Sequence, residues 1–328
     1  MSLVSRLIKA NPSIQVSDVL AGTFTLPSAK GAFVGEIGRA LFGGGDTSEG
    51  TRVNTIDYVE IATLGNATSF GNLSGVRYQM AGCGSSTRGI FGGGTNNPGV
   101  GGVIIEYLTI ANTGNATNFG DLTVGRQSLG SFSSSTRGVW AGGYSTTYTN
   151  IIDYVTIATT GNTTDFGDRT NSNQILAGCS SSTRGLVDGG ENGTVNIIDY
   201  VTIASTGNAT DFGDLTAGRW GLGAGSSSTR GLFGGGYTNA HSNIIDYVTI
   251  ATTGNATDFG DLTVARTSMA GTSGNIKALF LGGSFPSFFS NVIDYVTMAT
   301  TGNALDFGDL TSTRNNTAAL SSNHGGLQ

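Results

Sequence analysis

The stretch 196–216, NIIDYVTIASTGNATDFGDLT, recurs along the chain, with close copies beginning at Asn54, Val103, Asn150, Asn243 and Asn291. The acidic residue of its IDYV core falls at Asp57, Glu106, Asp153, Asp199, Asp246 and Asp294, at intervals of 49, 47, 46, 47 and 48 residues. A fixed period of this size specifies a repeat architecture, in which each unit buries its apolar face only against its neighbours. Most of the 328 residues therefore belong to one sixfold array rather than to two unrelated domains.

Within each copy, four segments read as strands. Around the third copy they are SLGSFSSS (128–135), RGVWAGG (137–143), NIIDYVTIA (150–158) and TTDFGD (163–168). The IIDYVTIA run is β-branched and aromatic on both faces, which suits a strand covered on both sides. Thr-Thr-Gly-Asn follows it, with Gly and Asn able to supply the positive φ of a tight hairpin. Four antiparallel strands per unit, six times over, specify a β-propeller. A solenoid is the competing reading, but it needs an atypical cap at each end. Here the ends are complementary: RALFGGG (39–45) is a second strand lacking a first, and NNTAALSSNHGG (315–326) is a first strand lacking a second. The expectation is an all-β, six-bladed propeller over residues 31–328, closed by its C-terminal strand so that no sheet edge stays open at the seam.

The order of double glycine, apolar-Asp-Tyr strand, aromatic strand and arginine, as in Gly235-Gly236, Ile245-Asp246-Tyr247, Phe259 and Arg266, resembles the kelch repeat. It departs from that pattern in having Phe where the last strand usually carries Trp (Phe70, Phe119, Phe166, Phe212, Phe259, Phe307). Near-identical repeats of IDYVTIATTGNATDFGDLT with SSSTRG also look like those of virion structural proteins and tail fibres of marine tailed phages. That second resemblance implies a place in a virion, made in the host bacterial cytoplasm, in a tail fibre, baseplate or other tail-associated position, or as a capsid-attached decoration protein. It implies virion proteins as partners and assembly with further copies of the chain.

Composition narrows the function classes. The 54 glycines fall at fixed repeat positions between β-branched runs, the pattern of a turn-rich β protein rather than a disordered linker. A formal net charge of −6 gives no basic field for nucleic acid. No apolar run is long enough for a membrane-spanning helix, so no membrane insertion is expected. Residues 1–30 stand outside the repeat: Leu3, Val4, Leu7 and Ile8 have helical spacing before Asn11-Pro12, and an apolar extended stretch follows. That leader reads either as a loose terminus or as an arm docking on another protein.

Candidates for chemistry mostly dissolve into the repeat. The six carboxylates could line a channel or bind cations, but sixfold duplication argues against catalysis. The expected alternative is that they accept hydrogen bonds from backbone amides or from two arginine series. One series is Arg39, Arg88, Arg137, Arg184 and Arg230 with Lys277; the other is Arg77, Arg126, Arg219, Arg266 and Arg314 with Arg169 displaced. With only His241 and His324, a copper site lacks ligands. The GNATDFGD tract lacks the spacing and closing Glu of a calcium loop, which leaves calcium between blades as an open alternative. The SSSTRG serines have no partnered histidine. Cys83 and Cys179 occupy equivalent positions two repeats apart, too distant for a disulfide, and read as small buried residues. No cofactor is expected and no enzyme.

What differs between copies is more informative. The loops between second and third strands read DTSEGTRV, TNNPGVGG, YSTTYT, ENGTV, YTNAHS and SFPSFFS. Because strand direction alternates, all six lie on one face of the ring, and per-repeat variation confined to one face marks a binding face. The candidate contact residues there are Tyr144, Tyr148, Tyr237, His241, Phe285, Phe288 and Phe289, suited to stacking on a host surface glycan or anchoring a protein partner. Drift in unconstrained loops is the competing account.

Overall fold

The repeated strand folds as its composition dictates. In Ile197–Thr202, Ile198 on one face and Asp199 and Val201 on the other are buried, and only Thr202 is exposed. The structure, a computed structural model, describes residues 36–47, 50–97, 99–191, 195–286 and 288–328. The leader 1–30 lies outside the described residues, and the unit described here is Glu36–Gln328.

The first blade contains β1 (Arg39–Gly43), β2 (Thr55–Glu60) and β3 (Thr68–Asn72). The second has β4 (Tyr78–Gly84), β5 (Arg88–Thr95), β6 (Gly102–Thr109) and β7 (Thr117–Arg126). The third has β8 (Gly130–Ser133), β9 (Arg137–Ala141), β10 (Ile151–Thr156) and β11 (Thr164–Asp168). The fourth has β12 (Ala177–Ser180), β13 (Arg184–Asp188), β14 (Ile197–Thr202) and β15 (Thr210–Asp214). The fifth has β16 (Gly223–Ser226), β17 (Arg230–Gly234), β18 (Ile244–Thr249) and β19 (Thr257–Asp261). The sixth has β20 (Ala270–Ser273), β21 (Lys277–Leu281), β22 (Val292–Thr297) and β23 (Leu305–Asp309). Finally β24 (Ala318–Ser321) returns to the first blade, whose sheet order is β24-β1-β2-β3. The chain is thus a six-bladed β-propeller of four-stranded antiparallel sheets, closed by its C-terminal strand. Ala40↔Ser321 through Gly43↔Ala318 is the closing register.

The first strands β4, β8, β12, β16, β20 and β24 pack against one another around the axis. Each blade contributes to a hydrophobic cluster shared with its neighbour: Cys179, Leu186 and Ile198 of the fourth blade, for example, pack with Phe233, Val248 and Ile250 of the fifth. Both cysteines are free and buried, and burial pushes the Cys83 thiol up to about 12. They fill space as small apolar residues, each set against a glycine of the next blade's second strand (Gly138 for Cys83, Gly231 for Cys179).

Polar ties repeat from blade to blade beside that apolar packing. The Asn208 side chain accepts the Asp168 amide, and Asn66, Asn115, Asn162, Asn255 and Asn303 do the same at the other junctions. Near the axis, the hydroxyls of Ser133, Ser180, Ser226, Ser273 and Ser321 each donate to the backbone of the preceding blade. The second blade has Gly84 where the others have serine. There His324 enters, its Nε2 3.1 Å from both Gly84 O and Ser133 Oγ, while its Nδ1 accepts the Gly326 amide. Burial pulls its pKa down to about 4, so the ring is neutral, and the 3-10 turn Gly325–Leu327 sits against the backbone of Ser133, Ser180 and Ser227.

Candidate interaction face

The repeated acidic residues come first, because the structure removes them from contention as a channel or a reactive cluster. Each carboxylate meets an arginine of the second series: Arg126 Nη2–Asp153 Oδ2 2.5 Å, Arg219–Asp246 2.5 Å, Arg266–Asp294 2.7 Å, Arg169 Nε–Asp199 3.0 Å, and likewise Arg77–Glu106 and Arg314–Asp57. All twelve side chains are buried. In five of the six the second carboxylate oxygen binds the preceding blade, as when Thr123 Oγ1 donates to Asp153 Oδ1 at 2.7 Å and Thr216 Oγ1 to Asp246 Oδ1 at 2.7 Å; at Asp57 the threonine and the arginine share Oδ2. Except for Arg169, each arginine also donates to two backbone carbonyls, Gly142 O and Ile151 O in the case of Arg126. Each charge is neutralised in place by its buried partner, which gives the pair a structural role.

The other cation series has a second mechanical role. Arg88, Arg137, Arg184 and Arg230 lie 4.4, 4.7, 4.7 and 4.8 Å from the ring centroids of Tyr107, Tyr154, Tyr200 and Tyr247. Each then donates to the next blade, at Ile157 O, Ile203 O, Ile250 O and Met298 O. Arg39 and Lys277 repeat both contacts at Tyr58 and Tyr295, and at Ile110 O and Ile61 O.

The loop face is built from short bridges. In the third blade Tyr144 exchanges backbone hydrogen bonds with Gln127 (2.9 and 3.0 Å) and pairs with Tyr148. In the fifth, Tyr237 pairs with Trp220 and His241 in the same way; in the sixth, Ser284 pairs with Thr267 and Phe289. Every such loop is therefore tied to the residue entering its own blade's first strand, which places the six loops around the axis. The bridge brings the side chains at its two ends together, Tyr144 and Tyr148 edge to face at 5.7 Å and Tyr237 and His241 at 5.3 Å, while in the sixth blade Phe285 and Phe288 meet just inside it at 4.9 Å. Phe288 is 60% exposed and Tyr148 37%; Tyr144, Tyr237, His241, Phe285 and Phe289 are half-buried. Of the three phenylalanines that read as exposed, one is fully so.

Two aromatic side chains on this face were not anticipated. Trp220 stacks on Tyr237 at 5.1 Å, making a Trp220–Tyr237–His241 cluster. Tyr78 lies under Arg52 at 4.6 Å. Both directly follow the buried arginine of their blade, at a position that is Gln127, Gln174, Thr267 or Asn315 elsewhere. Variability at that one aligned position is the signal that singles them out. In the fourth blade the loop contact is polar, Gln174 Nε2 donating to Glu191 Oε2 at 2.6 Å. Inside the ring of loops the first strands open onto an axial cavity of ≈ 100 Å³. Among the described residues no three His, Cys, Asp or Glu side chains come together to hold a metal ion.

The sequence matches no protein-family model and no curated protein.

Proposed function

We propose that the protein is a non-enzymatic adhesion or structural module of a phage particle, in which residues 1–30 anchor the ring and the loop face makes the contact with a host surface glycan or a neighbouring virion protein. The virion setting comes from the repeat resemblance to virion and tail-fibre proteins. The loop face is supported by one observation above the others. Aromatic side chains are set in pairs at short bridges, in loops that differ from copy to copy. Trp220, Tyr237 and His241 form a contiguous amphipathic aromatic cluster, tilted and edge to face, of the kind that packs against sugars or anchors a protein loop. Phe288, 60% exposed, is the type of apolar anchor that a partner covers.

Two arms test the reading. Purified particles should contain the full chain and lose it when residues 1–30 are deleted, although the deleted protein still folds; retention would remove the anchor. The soluble ring should bind host surface glycans or a virion protein, and Tyr237→Ala/His241→Ala/Phe288→Ala should abolish that binding without changing the melting temperature. Undiminished binding by this variant would remove the face. Release of reducing sugars from host polysaccharide would replace the reading with an enzymatic one.

A further inference from the structure

The residue that opens each blade's first strand has positive φ: Gln79 (56°), Ser128 (59°), Ile175 (58°), Gly221 (73°), Ser268 (55°) and Asn316 (51°). Their backbones are linked from blade to blade around the axis. The amide of Gln79 donates to Asn316 O (3.0 Å), Ser128 to Gln79 O (2.8 Å), Ile175 to Ser128 O (2.8 Å), Gly221 to Ile175 O (3.3 Å) and Asn316 to Ser268 O (2.9 Å). This linkage accounts for the backbone conformation. It does not account for the side chains, because Gly221 makes the same link without one.

Elsewhere the chain meets positive φ with glycine; among the described residues Asn239 is the sole other non-glycine. A left-handed conformation is sterically costly for any residue with a Cβ, and most of all for a β-branched one such as Ile175. A glycine-rich chain nevertheless keeps five side chains here, four of them able to both donate and accept hydrogen bonds. Backbone outliers of this kind cluster where function requires them.

All six residues line the axial cavity of ≈ 100 Å³. Ser128 Oγ and Gln79 Oε1 have no hydrogen-bond partner among the described residues, and Ser128 is 6% exposed. No ionisable side chain lines the cavity, and behind the ring its wall mixes Leu129, Leu176, Leu222 and Met269 with Ser131 and Thr317. Unfilled polar atoms favour a ligand that completes them. The lack of charge disfavours phosphate, carboxylate or a cation. At ≈ 100 Å³, below the roughly 150 Å³ that admits a benzene ring, the cavity admits one edge of a single sugar ring seated at its mouth rather than a length of chain.

We infer that the axial mouth is a binding site for one neutral, hydroxyl-rich ring, the terminal sugar of a glycan. Gln79, Ser128, Ser268 and Asn316 supply its hydrogen bonds and Ile175 an apolar wall. The inference rests on the loop face being the glycan-contacting face, and it adds the part of the glycan that is read and where.

The test uses the full chain, titrated in turn with glucose, galactose, mannose and N-acetylglucosamine and followed by calorimetry or amide chemical shifts. At least one should bind with a dissociation constant in the millimolar range, as a single small ring does. The variant Gln79→Gly/Ser128→Gly/Ser268→Gly/Asn316→Gly should weaken it at least about tenfold while melting no lower than the parent, since glycine relieves the strained φ. Binding to none of the four sugars, or equal binding by the glycine variant, overturns the inference. If host-glycan binding persists in the glycine variant but is lost in Tyr237→Ala/Phe288→Ala, the axial site falls and the loop face stands. If host glycans are bound and neither variant changes the binding, both fall.

Discussion

Asp188 breaks the sixfold pattern, standing in β13 where other blades have Gly43, Gly92, Ala141, Gly234 or Leu281. It is fully buried and neither carboxylate oxygen completes a hydrogen bond, although the guanidinium charges of Arg219 and Arg169 pull the other way. Desolvation prevails and raises its pKa to about 7, from 3.8 in an exposed carboxyl. Between those values the folded protein holds a proton that the unfolded chain has released, so this group's contribution falls as pH rises from about 4 to about 7. The full cost, on the order of a few kcal/mol, is carried above that window. Asp188→Asn should therefore raise the melting temperature at pH 8 and leave it nearly unchanged at pH 4. An equal shift at both pH values would show that the charge is not what costs stability. His324, held neutral with a pKa near 4, moves stability the opposite way over the same range, which is why the variant and parent must be compared as difference curves.

At the scale of the strand, the outer Phe-Gly-Asp segment shows how local sequence sets the ring's geometry. Register slips between Ile198 and Asp199 opposite β15, so Gly213 pairs with Ile198 and Asp211 with Asp199. A Cβ at Gly213 would lie 2.5 Å from Gly254 O, in the hairpin turn of the next blade, which bonds back through Gly254 N–H to Phe212 O at 2.7 Å. Gly213→Ala should cost roughly 1–3 kcal/mol by pushing two blades apart, read as a lower chemical-denaturation midpoint. A neutral effect would mean that the blades are not in rigid register. Much of this level was legible beforehand. Alternation and turn residues located the strands, and sixfold recurrence pointed to the carboxylates as structural ties, but which of the two arginine series holds them was not legible. The cation–π role of Arg88 or Arg137 was not legible, because it depends on which tyrosine lies opposite across the strand pair. The axial ring was hidden for a different reason: positive φ announces itself through glycine, and five of the six positions lack one.

At the scale of the molecule, closure is the property on which the rest depends. The β24 pairing joins residues about 280 positions apart (Gly43↔Ala318), so the ring completes only once the whole chain is present. Removing residues 315–328 should leave β1 as an open edge and take away the His324 turn, giving an aggregation-prone, protease-sensitive chain by light scattering and limited proteolysis. A soluble, resistant monomer would show that closure is dispensable. The complementary ends of the sequence foretold this seam. The assignment of function to the loop face came only from comparing copies, since nothing within one copy separates a scaffold tyrosine such as Tyr200 from a face tyrosine such as Tyr237. The central claim is that the invariant part of the repeat is scaffold and the variable face is function. The direct measurement is binding of the purified ring to host cells, per mole of folded protein, for two variants alongside the parent. Asp153→Ala, which strands the buried Arg126, should lower stability by about 3–5 kcal/mol yet bind normally when folded. Tyr237→Ala/His241→Ala/Phe288→Ala should keep the parent's stability and lose binding. The reverse pattern, with binding lost in Asp153→Ala and kept in the face variant, would contradict the account.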